Sequence, residues 1–460
     1  MKIKTIFNCS NCHQDYPKWQ GKCDKCQQWN TLEERTLAVQ GNSKSIKNYT
    51  NATPKRLTDV ETGNSDRIVT NIPEFNRVMG GGILKDSITI ITAKPGAGKS
   101  TLLLQVAQDI ALGGYRVLYA SGEESDSQIK NRAKRILDKI DQNIWVYSET
   151  NMNKVLNTIE TLDTDFIIVD SIQTFALEEY SSRPGSPTQT MECANELLKV
   201  AKNEKRPRAV IMVGQMTKDD ELAGLRALEH LVDTVLIIDG ENGEELKELS
   251  STKNRYGSTG EIGFFTMSEK GMLSIENPSE FFVTKRENEA LVTGSALTVV
   301  KEGTRPIILE IESLVSMSYT PYPSRISECM SRDQLNTMLS VLEQRGGIEL
   351  YNKNVVIKTT GGLKIKEQSV NLAIIMSIVS SAKGIGIPND VVFIADIGLT
   401  GELKRVPSID SRIRELDRMG FKKVYLAKDA ANKDLKMKIE VVQMNTISQV
   451  INDVFGKTKI

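Results

Sequence analysis

Apolar runs of strand length alternate with amphipathic, helix-like segments between about residues 60 and 275. Alternation of this kind is typical of strands in a parallel sheet whose faces are covered by helices. The pattern therefore predicts an α/β domain built on a parallel sheet. Four of the apolar runs lead into residues that carry candidate chemistry, and they span residues 87–92, 117–121, 166–169 and 210–214.

Changes in composition mark the domain boundaries. Residues from about 33 to 55 are polar and rich in Gly, Ser and Asn, which predicts a linker. A second boundary falls near Asn277-Pro278-Ser279, after a run of strand-like segments. We therefore expect a module over residues 1–32, a linker over 33–55, the α/β domain over 56–277 and a further domain over 285–460.

The chain has 460 residues, which is enough for two or three domains. Its 59 Lys and Arg balance 59 Asp and Glu, so any surface for nucleic acid must be local. The sequence lacks an apolar run near the roughly 18 residues that a membrane-spanning helix needs. It also lacks the apolar segment of a secretory signal after Met1. The expected location is the cytoplasm.

Four of the six cysteines lie in two C-x-x-C pairs near the N-terminus, Cys9 with Cys12 and Cys23 with Cys26. In a cytosolic chain this spacing favours a tetrahedral Zn²⁺ site over disulfides. A segment this short holds no core without metal. A pair of redox dithiols is the alternative, and His13 is a less favoured substitute ligand.

The most informative segment joins the run over residues 87–92 to a helical pattern that starts at Thr101. It fits G-x-x-x-x-G-K-[ST], except that Ala93 replaces the first glycine. Its glycines let backbone N–H groups close around phosphates, and the helix N-terminus adds partial positive charge. We expect Lys99 to reach the β- and γ-phosphates of ATP, and Ser100 to ligate Mg²⁺. The predicted ATP-binding residues are Ala93, Lys94, Pro95, Gly96, Ala97, Gly98, Lys99, Ser100, Thr101 and, from a later strand, Gln215.

Two strand ends supply carboxylates that ATP hydrolysis requires. One run leads into Glu123 and Glu124, where a carboxylate can orient and deprotonate the attacking water, and we favour Glu123. Another ends in Asp170, which has the form of a Walker B acid and is expected to hold Mg²⁺ through water. A strand-terminal acid can instead cap the next helix, but the phosphate loop and these two strand ends, in order along one α/β domain, argue against coincidence.

Two loops carry candidate DNA-binding cations. Gln215 ends a strand and is a candidate sensor of the γ-phosphate, and the loop Met216–Ala227 follows it with Lys218 and Arg226. We expect this loop to face the central pore of a ring, with a solvated surface loop as the alternative. A second loop, rich in Ser, Pro and Gly, contributes Arg183.

The pentapeptide Lys253-Asn254-Arg255-Tyr256-Gly257 ends a strand-like segment. Its two cations can place charge at the γ-phosphate of a neighbouring subunit, as an arginine finger does. They can instead grip DNA phosphates, or form an ordinary basic turn. Lys253 and Arg255 thus join Lys99 and Glu123 as candidate catalytic residues.

Taken together, these segments resemble the RadA (Sms) family of bacterial RecA-related proteins of DNA repair and recombination. The resemblance covers essentially the whole chain, and Tyr256 stands where the family signature has Phe. The matching segments are the four-cysteine motif, Gly80-Gly81-Gly82, the phosphate loop, Ser121–Ser125, Asp170–Thr174, Leu228-Glu229-His230 and Lys253–Gly257.

This resemblance implies a RecA-like ATPase core in a homohexameric ring, with ATP bound between subunits. It also implies a DnaB-like helicase that moves on single-stranded DNA and promotes branch migration of recombination intermediates with the RecA recombinase. For Lys253 and Arg255 it favours a role at the neighbour's ATP site.

Residues 285–460 resemble the proteolytic domain of Lon. The matching stretches are Gly294–Ala296, Glu302–Pro306, Gly361–Ile365 and Gly398–Glu402. A Lon protease needs a Ser–Lys dyad, because its serine requires a nearby amine as base. Here Ser369 lies at or next to the serine position and Asp410 stands where the base is expected, which predicts an inactive protease. The domain is expected to build the ring and offer a DNA-facing surface, with the candidates Lys358, Lys364, Lys404, Arg405, Arg412 and Arg414.

Three other functions remain open at this point. A RecA-type ATP switch would assemble on DNA or on a recombinase without translocating. An ATP-dependent serine protease is opposed by Asp410. A scaffold without enzymatic activity leaves Lys99, Glu123 and Asp170 unexplained.

Overall fold

The structure is a computed structural model, and most of the chain is described in it. Among the described helices, none combines the length and the apolar character needed to cross a bilayer. The described residues are 3–10, 12, 14–16, 18–29, 32–38, 56, 58, 67–215, 224–240, 245–284, 286, 291–363, 365, 367–432 and 437–456.

The first compact unit, residues 1–63, contains three antiparallel strands within its described part. They are β1 (Ile3–Cys9), β2 (Asp15–Tyr16) and β3 (Leu32–Ala38), in the order β2-β1-β3. Strand β3 pairs with β1 along its whole length. Residues 33–38, the first part of the predicted linker over 33–55, are therefore in a strand, and residues 39–55 lie outside the described residues. Residues 32–38 are largely polar, so their composition resembles that of a linker. They contain no Gly or Pro, so their backbone can still pair in a sheet.

The second unit, residues 64–460, begins with an α/β domain. Its largest sheet has nine strands among the described residues, in the order β14-β13-β12-β11-β6-β10-β9-β7-β8. Neighbours from β11 to β8 are parallel, and β12 to β14 add antiparallel strands at one edge. The predicted parallel α/β sheet is confirmed.

The elements of this domain follow one another along the chain. The strands are β4 (Arg67–Ile68) and β5 (Ile83–Leu84), which pair with each other, and β6 (Ile88–Ala93), β7 (Val117–Ser121), β8 (Ile144–Ser148), β9 (Phe166–Asp170), β10 (Ala209–Gln215), β11 (Thr234–Asp239), β12 (Leu246–Asn254), β13 (Ile262–Ser268) and β14 (Gly271–Ser274). The helices are α1 (Pro73–Val78), α2 (Lys99–Leu112), α3 (Asp126–Ile136), α4 (Met152–Leu162), α5 (Pro187–Ala201) and α6 (Gly224–Leu231), with a short 3-10 helix over Ile172–Thr174.

Burial on both faces explains why β6 contains Ile, Ala and Thr and no charged residue. All six of its residues are buried. Ile91 packs into a core that includes α2, and its neighbour Ile90 packs into a second core that includes α5. Side chains of successive strand residues point to opposite faces, so helices on both faces require a continuous apolar run.

The remaining residues form a C-terminal α/β domain. Within the described residues, its main sheet has the order β17-β18-β16-β15-β19-β22-β23. Following α7 (Pro278–Phe281), the strands are β15 (Ser295–Glu302), β16 (Arg305–Met317), β17 (Arg325–Ser327), β18 (Lys353–Thr359), β19 (Val391–Ile394), β20 (Asp396–Ile397), β21 (Leu403–Lys404), β22 (Lys423–Ala427) and β23 (Glu440–Met444). The helices are α8 (Arg332–Gly346), α9 (Asn371–Lys383), α10 (Ile409–Arg418) and α11 (Ile447–Phe455), with 3-10 turns over Thr360–Gly362 and Gln368–Val370.

A buried ion pair joins the two α/β domains. The carboxylate of Glu74 in α1 lies 3.1 Å from a guanidinium nitrogen of Arg305 at the start of β16. Its other oxygen accepts a hydrogen bond from the backbone N–H of Phe264 at 3.0 Å. Glu74 is only 1% exposed, so both of its oxygens are held away from water. The C-terminal domain is thereby held against helix α1 of the preceding α/β domain.

Candidate active site

The loop between β6 and α2 has the backbone of a phosphate cradle. Gly96 and Gly98 have φ angles of 82° and 99°, in the left-handed region that favours glycine. A Cβ on Gly98 would lie 2.5 Å from the Cε atom of Met267 and 3.0 Å from the Sδ atom of Met272. Helix α2 begins directly after this glycine. The sequence-predicted arrangement of strand, glycine loop and helix is therefore present.

Lys99 occupies the first position of α2 and points back over the loop. Its Nζ atom donates a hydrogen bond to the carbonyl oxygen of Ala93 at 2.9 Å. Burial lowers the pKa of Lys99, while the charges of Asp170 and Glu123 act in the opposite direction. A half-buried ammonium group at this position is set to meet negative charge that enters the loop.

A hydroxyl and a carboxylate meet next to the loop. The Ser100 hydroxyl donates to Oδ2 of Asp170 at 2.9 Å, and the Tyr119 hydroxyl donates to the same oxygen at 2.6 Å. Tyr119 is buried, and burial together with the Asp170 charge raises its pKa well above the usual range. Oxygen donors of this kind are the ligands that Mg²⁺ takes, so Ser100 and Asp170 fit that ion. The sequence analysis did not identify Tyr119. Its position as a tyrosine inside an apolar strand could have indicated a buried hydroxyl that needs a hydrogen-bond partner.

Glu123 and Glu124 have different partners. Glu123 Oε1 accepts hydrogen bonds from the Ser171 hydroxyl and from Nε2 of Gln215, the latter at 2.8 Å. Glu124 instead forms an ion pair with Arg132 in α3. The geometry therefore connects Glu123, and not Glu124, to the predicted sensor Gln215.

Strand register brings these side chains together at the carboxyl ends of the parallel strands. Gln215 pairs with Ala93, Ser121 pairs with Asp170, and Met212 pairs with Val169, so four parallel strands end within about two residues of one another. A Cβ on Gly122 would lie 1.9 Å from Oγ1 of Thr174, so only glycine lets the chain pass here. Ligands of open α/β sheets bind beyond the carboxyl ends of the strands.

The pentapeptide 253–257 lies at the opposite end of the parallel strands, level with the amino end of β6. Asn254 pairs with Thr234 at the start of β11, and Thr234 pairs with Thr89 near the start of β6. Strand β6 has six residues, and its length separates this end of the strands from the phosphate loop by about 16 Å. An arginine side chain does not span that distance, so Arg255 cannot reach the phosphate loop of its own chain.

Three residues of the pentapeptide hold it in place. The Asn254 side chain donates to the carbonyl of Val78 at 3.2 Å. A Cβ on Gly257 would lie 2.9 Å from the Cα atom of Gly80, and the Tyr256 hydroxyl accepts from Lys202 at 2.8 Å. These contacts explain why an Asn and a Gly accompany the two cations.

The two cations themselves are tethered lightly. Lys253 Nζ donates to the carbonyl of Glu229 at 2.5 Å, and burial, together with repulsion from Arg255, lowers the pKa of Lys253. Arg255 is paired with the buried Asp233 at 3.3 Å, yet its side chain is 55% exposed. Its guanidinium group is therefore accessible from outside the subunit.

The predicted DNA-binding residues are only partly placed. Arg183 is exposed, on the loop before α5. Lys218 and the side chain of Arg226 lie outside the described residues. The segment expected to be a loop from Met216 to Ala227 becomes helical at Gly224, where α6 begins. None of these residues is brought to the ATP-binding edge by a described contact.

The four N-terminal cysteines converge. The Sγ atoms of Cys9 and Cys26 lie 3.7 Å apart, those of Cys12 and Cys23 lie 3.5 Å apart, and all four lie within 4.8 Å of one another. Four thiolates around Zn²⁺, with Zn–S bonds of about 2.3 Å, lie about 3.8 Å apart, so this set fits the ion. A hydrogen bond from Tyr16 lowers the pKa of Cys23 to about 6, which favours the thiolate that zinc binds. His13 lies outside the described residues.

Ser369 lies beside an arginine and a glutamate. Its hydroxyl donates to Oε1 of Glu367 at 2.6 Å, and an Nη atom of Arg412 lies 3.3 Å from its Oγ. Arg412 binds both oxygens of Glu367, at 2.7 and 2.8 Å. The expectation that Asp410 occupies the base position is therefore wrong, because Arg412 contacts the serine while Asp410 accepts from the backbone of Asn432. A guanidinium stays protonated in proteins and cannot serve as a base.

Arg412 must also be removed from the DNA-facing candidates. It is only 1% exposed and forms part of the domain interior. Lys358 is exposed and pairs with Glu312, Arg405 pairs with Asp429, and Lys404 and Arg414 are exposed. Lys364 lies outside the described residues.

Comparison with known proteins agrees with this geometry. A family model described as an AAA domain matches residues 51–221. The chain is 40% identical to DNA repair protein RadA of Bacillus subtilis (strain 168) over 99% of both chains. It is 38% identical to DNA repair protein RadA of Listeria monocytogenes over 98% of both chains, and 40% identical to that of Streptococcus pyogenes serotype M1 over 99% of this chain and 100% of the other. The chain is therefore a member of the RadA family, with a RecA-like ATPase core and a C-terminal domain of the Lon-like type.

Proposed function

We propose that this protein is a DNA-dependent ATPase of DNA repair and homologous recombination that works as a homohexameric motor on single-stranded DNA. It promotes branch migration of recombination intermediates together with a recombinase, in the cytoplasm. The observation that carries the proposal is the separation of Arg255 from its own phosphate loop by the length of β6. Such a site becomes complete only when a second subunit supplies Arg255.

Each candidate residue at the carboxyl ends of the parallel strands has a distinct proposed role. The backbone of the loop from Ala93 to Thr101 surrounds the phosphates, and Lys99 supplies positive charge to them. Ser100 and Asp170 hold Mg²⁺, which neutralises phosphate charge when it is bound. Glu123 accepts the proton of the attacking water.

Gln215 links this chemistry to the segment that follows it. Its side chain bonds to Glu123, and its backbone exchanges two hydrogen bonds of 3.4 Å with the side chain of Gln173. Loss of the γ-phosphate changes what Glu123 contacts, and Gln215 passes that change to the residues after β10. Lys218 and Arg226, with Arg183, are the proposed DNA contacts.

Lys253 and Arg255 act on the ATP of the neighbouring subunit. Positive charge from a second chain stabilises the charge that develops on the transferring phosphoryl group. Their mild tethers, one carbonyl and one carboxylate, leave both side chains able to exchange partners when a neighbour binds.

The C-terminal domain is proposed to assemble the ring and not to cleave peptides. Ser369 faces the Glu367 carboxylate, which Arg412 holds in a bidentate pair that lowers its pKa and makes it a weak base. Casein that stays intact in the presence of the wild-type protein and ATP is the expected result. Degradation that Ser369→Ala abolishes would contradict this assignment.

Unwinding of a labelled fork distinguishes a motor from a switch. The expected result is strand displacement that requires ATP and is abolished in Lys99→Ala. ATP hydrolysis that DNA stimulates, without any displacement on forks of either polarity, would favour the RecA-type switch.

A further inference from the structure

Two tryptophans of the N-terminal unit are exposed. Trp19 is 59% exposed and Trp29 is 70% exposed, whereas Trp145, the third tryptophan of the chain, packs against an apolar core of the ATPase domain. Tryptophan is highly buried on average, and its large apolar rings are costly to leave in water. An exposed pair in a module this small therefore points to a partner that covers both rings.

The two rings lie close to each other, next to Gly21. A Cβ on Gly21 would lie 3.6 Å from ring atom Cζ3 of Trp29 and 3.8 Å from ring atom Cη2 of Trp19. Both indoles thus approach one point within 4 Å, and the glycine leaves the space between them open. A backbone bridge between Lys22 and Trp29 holds the second ring in place.

Lysines lie in the same segment as the two rings. Lys22 Nζ lies 5.8 Å from the ring centroid of Trp29, and Lys18 and Lys25 belong to the same short segment. The acid of the segment, Asp24, already accepts a hydrogen bond from Gln20 at 2.9 Å. Aromatic faces flanked by lysines are the composition of surfaces that stack the bases and neutralise the phosphates of single strands. An apolar protein partner would not require the lysines.

We propose that Trp19 and Trp29 form a stacking surface for the bases of single-stranded DNA, with Lys18, Lys22 and Lys25 beside its phosphates. Binding by stacking is tolerant of sequence, because every base offers a flat face. The inference rests on the proposed function in one respect, which is that it takes single-stranded DNA as the polymer.

Intrinsic fluorescence provides a direct test. In full-length protein carrying Trp145→Phe, the remaining tryptophans are Trp19 and Trp29, so titration with oligo(dT) reports on them alone. The expected result is saturable quenching. Trp19→Ala and Trp29→Ala should each raise the Kd for oligo(dT), measured by anisotropy of a labelled strand, by roughly 5- to 100-fold, and Trp→Phe should restore most of the affinity.

Two controls separate stacking from loss of structure. Zinc content per chain should equal that of the parent in every variant, and Tyr351→Ala, which removes an exposed aromatic ring in the C-terminal domain, should leave the Kd unchanged. If an alanine variant loses zinc, the Lys18→Ala/Lys25→Ala variant decides. It should reduce the slope of log K against log salt by about 0.7 for each DNA phosphate that these lysines neutralise in the parent, and an unchanged slope would overturn the proposal.

The outcomes distinguish this inference from the proposed function. Absence of quenching, or an unchanged Kd in a zinc-replete Trp19→Ala/Trp29→Ala variant, would overturn the stacking surface while DNA-stimulated hydrolysis persists. Quenching by a protein partner but not by oligo(dT) would overturn it as well. Failure of the parent protein to bind oligo(dT) under any salt condition would overturn both.

Discussion

At the scale of single residues, the two neighbouring glutamates after β7 provide a matched pair. Glu123→Gln keeps the size of the side chain but removes the base, so hydrolysis should fall by roughly 10²- to 10⁴-fold with ATP binding retained. Glu124→Gln should have a small effect, because Glu124 pairs with Arg132 in α3 and not with Gln215. Steady-state ATPase assays and nucleotide-binding titrations check both variants. Equal losses in the two variants would refute the assignment of Glu123.

The partly buried pair of Glu367 and Arg412 also sets a pH dependence. Burial of Glu367 opposes its ionisation, but hydrogen bonds from Arg412 and Ser369 outweigh this effect and lower its pKa below the usual 4.5. A carboxyl group with a lowered pKa stabilises the fold above its unfolded pKa, and this stability disappears as pH falls through its folded pKa. We therefore expect the unfolding temperature of the C-terminal domain to drop below about pH 4.5.

The Glu367→Gln variant isolates this contribution. It leaves the buried Arg412 without a counter-charge and should cost about 3–5 kcal/mol at neutral pH, while removing part of the acid dependence. Glu312→Gln is the control, since Glu312 pairs with Lys358 at the surface, where ion pairs contribute little. Equal melting temperatures for both variants across the pH range would show that the buried pair has no special role.

At the scale of elements, the proposed ATP site divides its residues between the two ends of the parallel strands, the phosphate loop at the carboxyl end and Arg255 at the amino end. Arg255→Ala should lose hydrolysis while keeping nucleotide binding, because its own phosphate loop is intact. A mixture of Arg255→Ala with Lys99→Ala should regain activity, since about a quarter of the interfaces in a randomly mixed ring then combine an intact loop with an intact arginine.

The control for this mixture carries both substitutions. The double variant mixed with Lys99→Ala contains no intact loop, and it should stay inactive at every ratio. If the first mixture also stays inactive although the subunits exchange, Arg255 does not act in a neighbouring site.

At the scale of the whole molecule, the N-terminal unit is a separate structural body. Its four thiols converge on one point, and the residues 1–63 form their own compact unit. Cys26→Ser should therefore release zinc and unfold this unit, while circular dichroism and thermal melting of the remainder stay unchanged. A zinc-to-protein ratio near zero in the wild type, measured by metal analysis, would remove the zinc assignment.

Local motifs could be predicted from the sequence, whereas contacts between residues distant in the chain could not. The phosphate loop and the cysteine pairs were predictable because their chemistry lies within a few neighbouring residues. The contacts of Tyr119 with Asp170 and of Ser171 with Glu123 join residues about fifty positions apart, and only the folded sheet brings them together.

The error at Asp410 has the same origin. Residues 410 and 412 lie on helix α10, where a shift of two positions turns a side chain by about 200°. Asp410 therefore lies on another face of the helix than the buried Arg412, a difference that two positions of sequence do not reveal. The strand over residues 32–38 was missed because its pairing partner, β1, lies some thirty residues earlier in the chain.

Steady-state ATP hydrolysis with and without single-stranded DNA decides whether this protein is a DNA-dependent ATPase. We expect hydrolysis that DNA stimulates in the wild type and that Lys99→Ala abolishes, because that change removes positive charge from the transferring phosphate. Hydrolysis that is indifferent to single-stranded DNA, or that persists at the wild-type rate in Lys99→Ala, would contradict it.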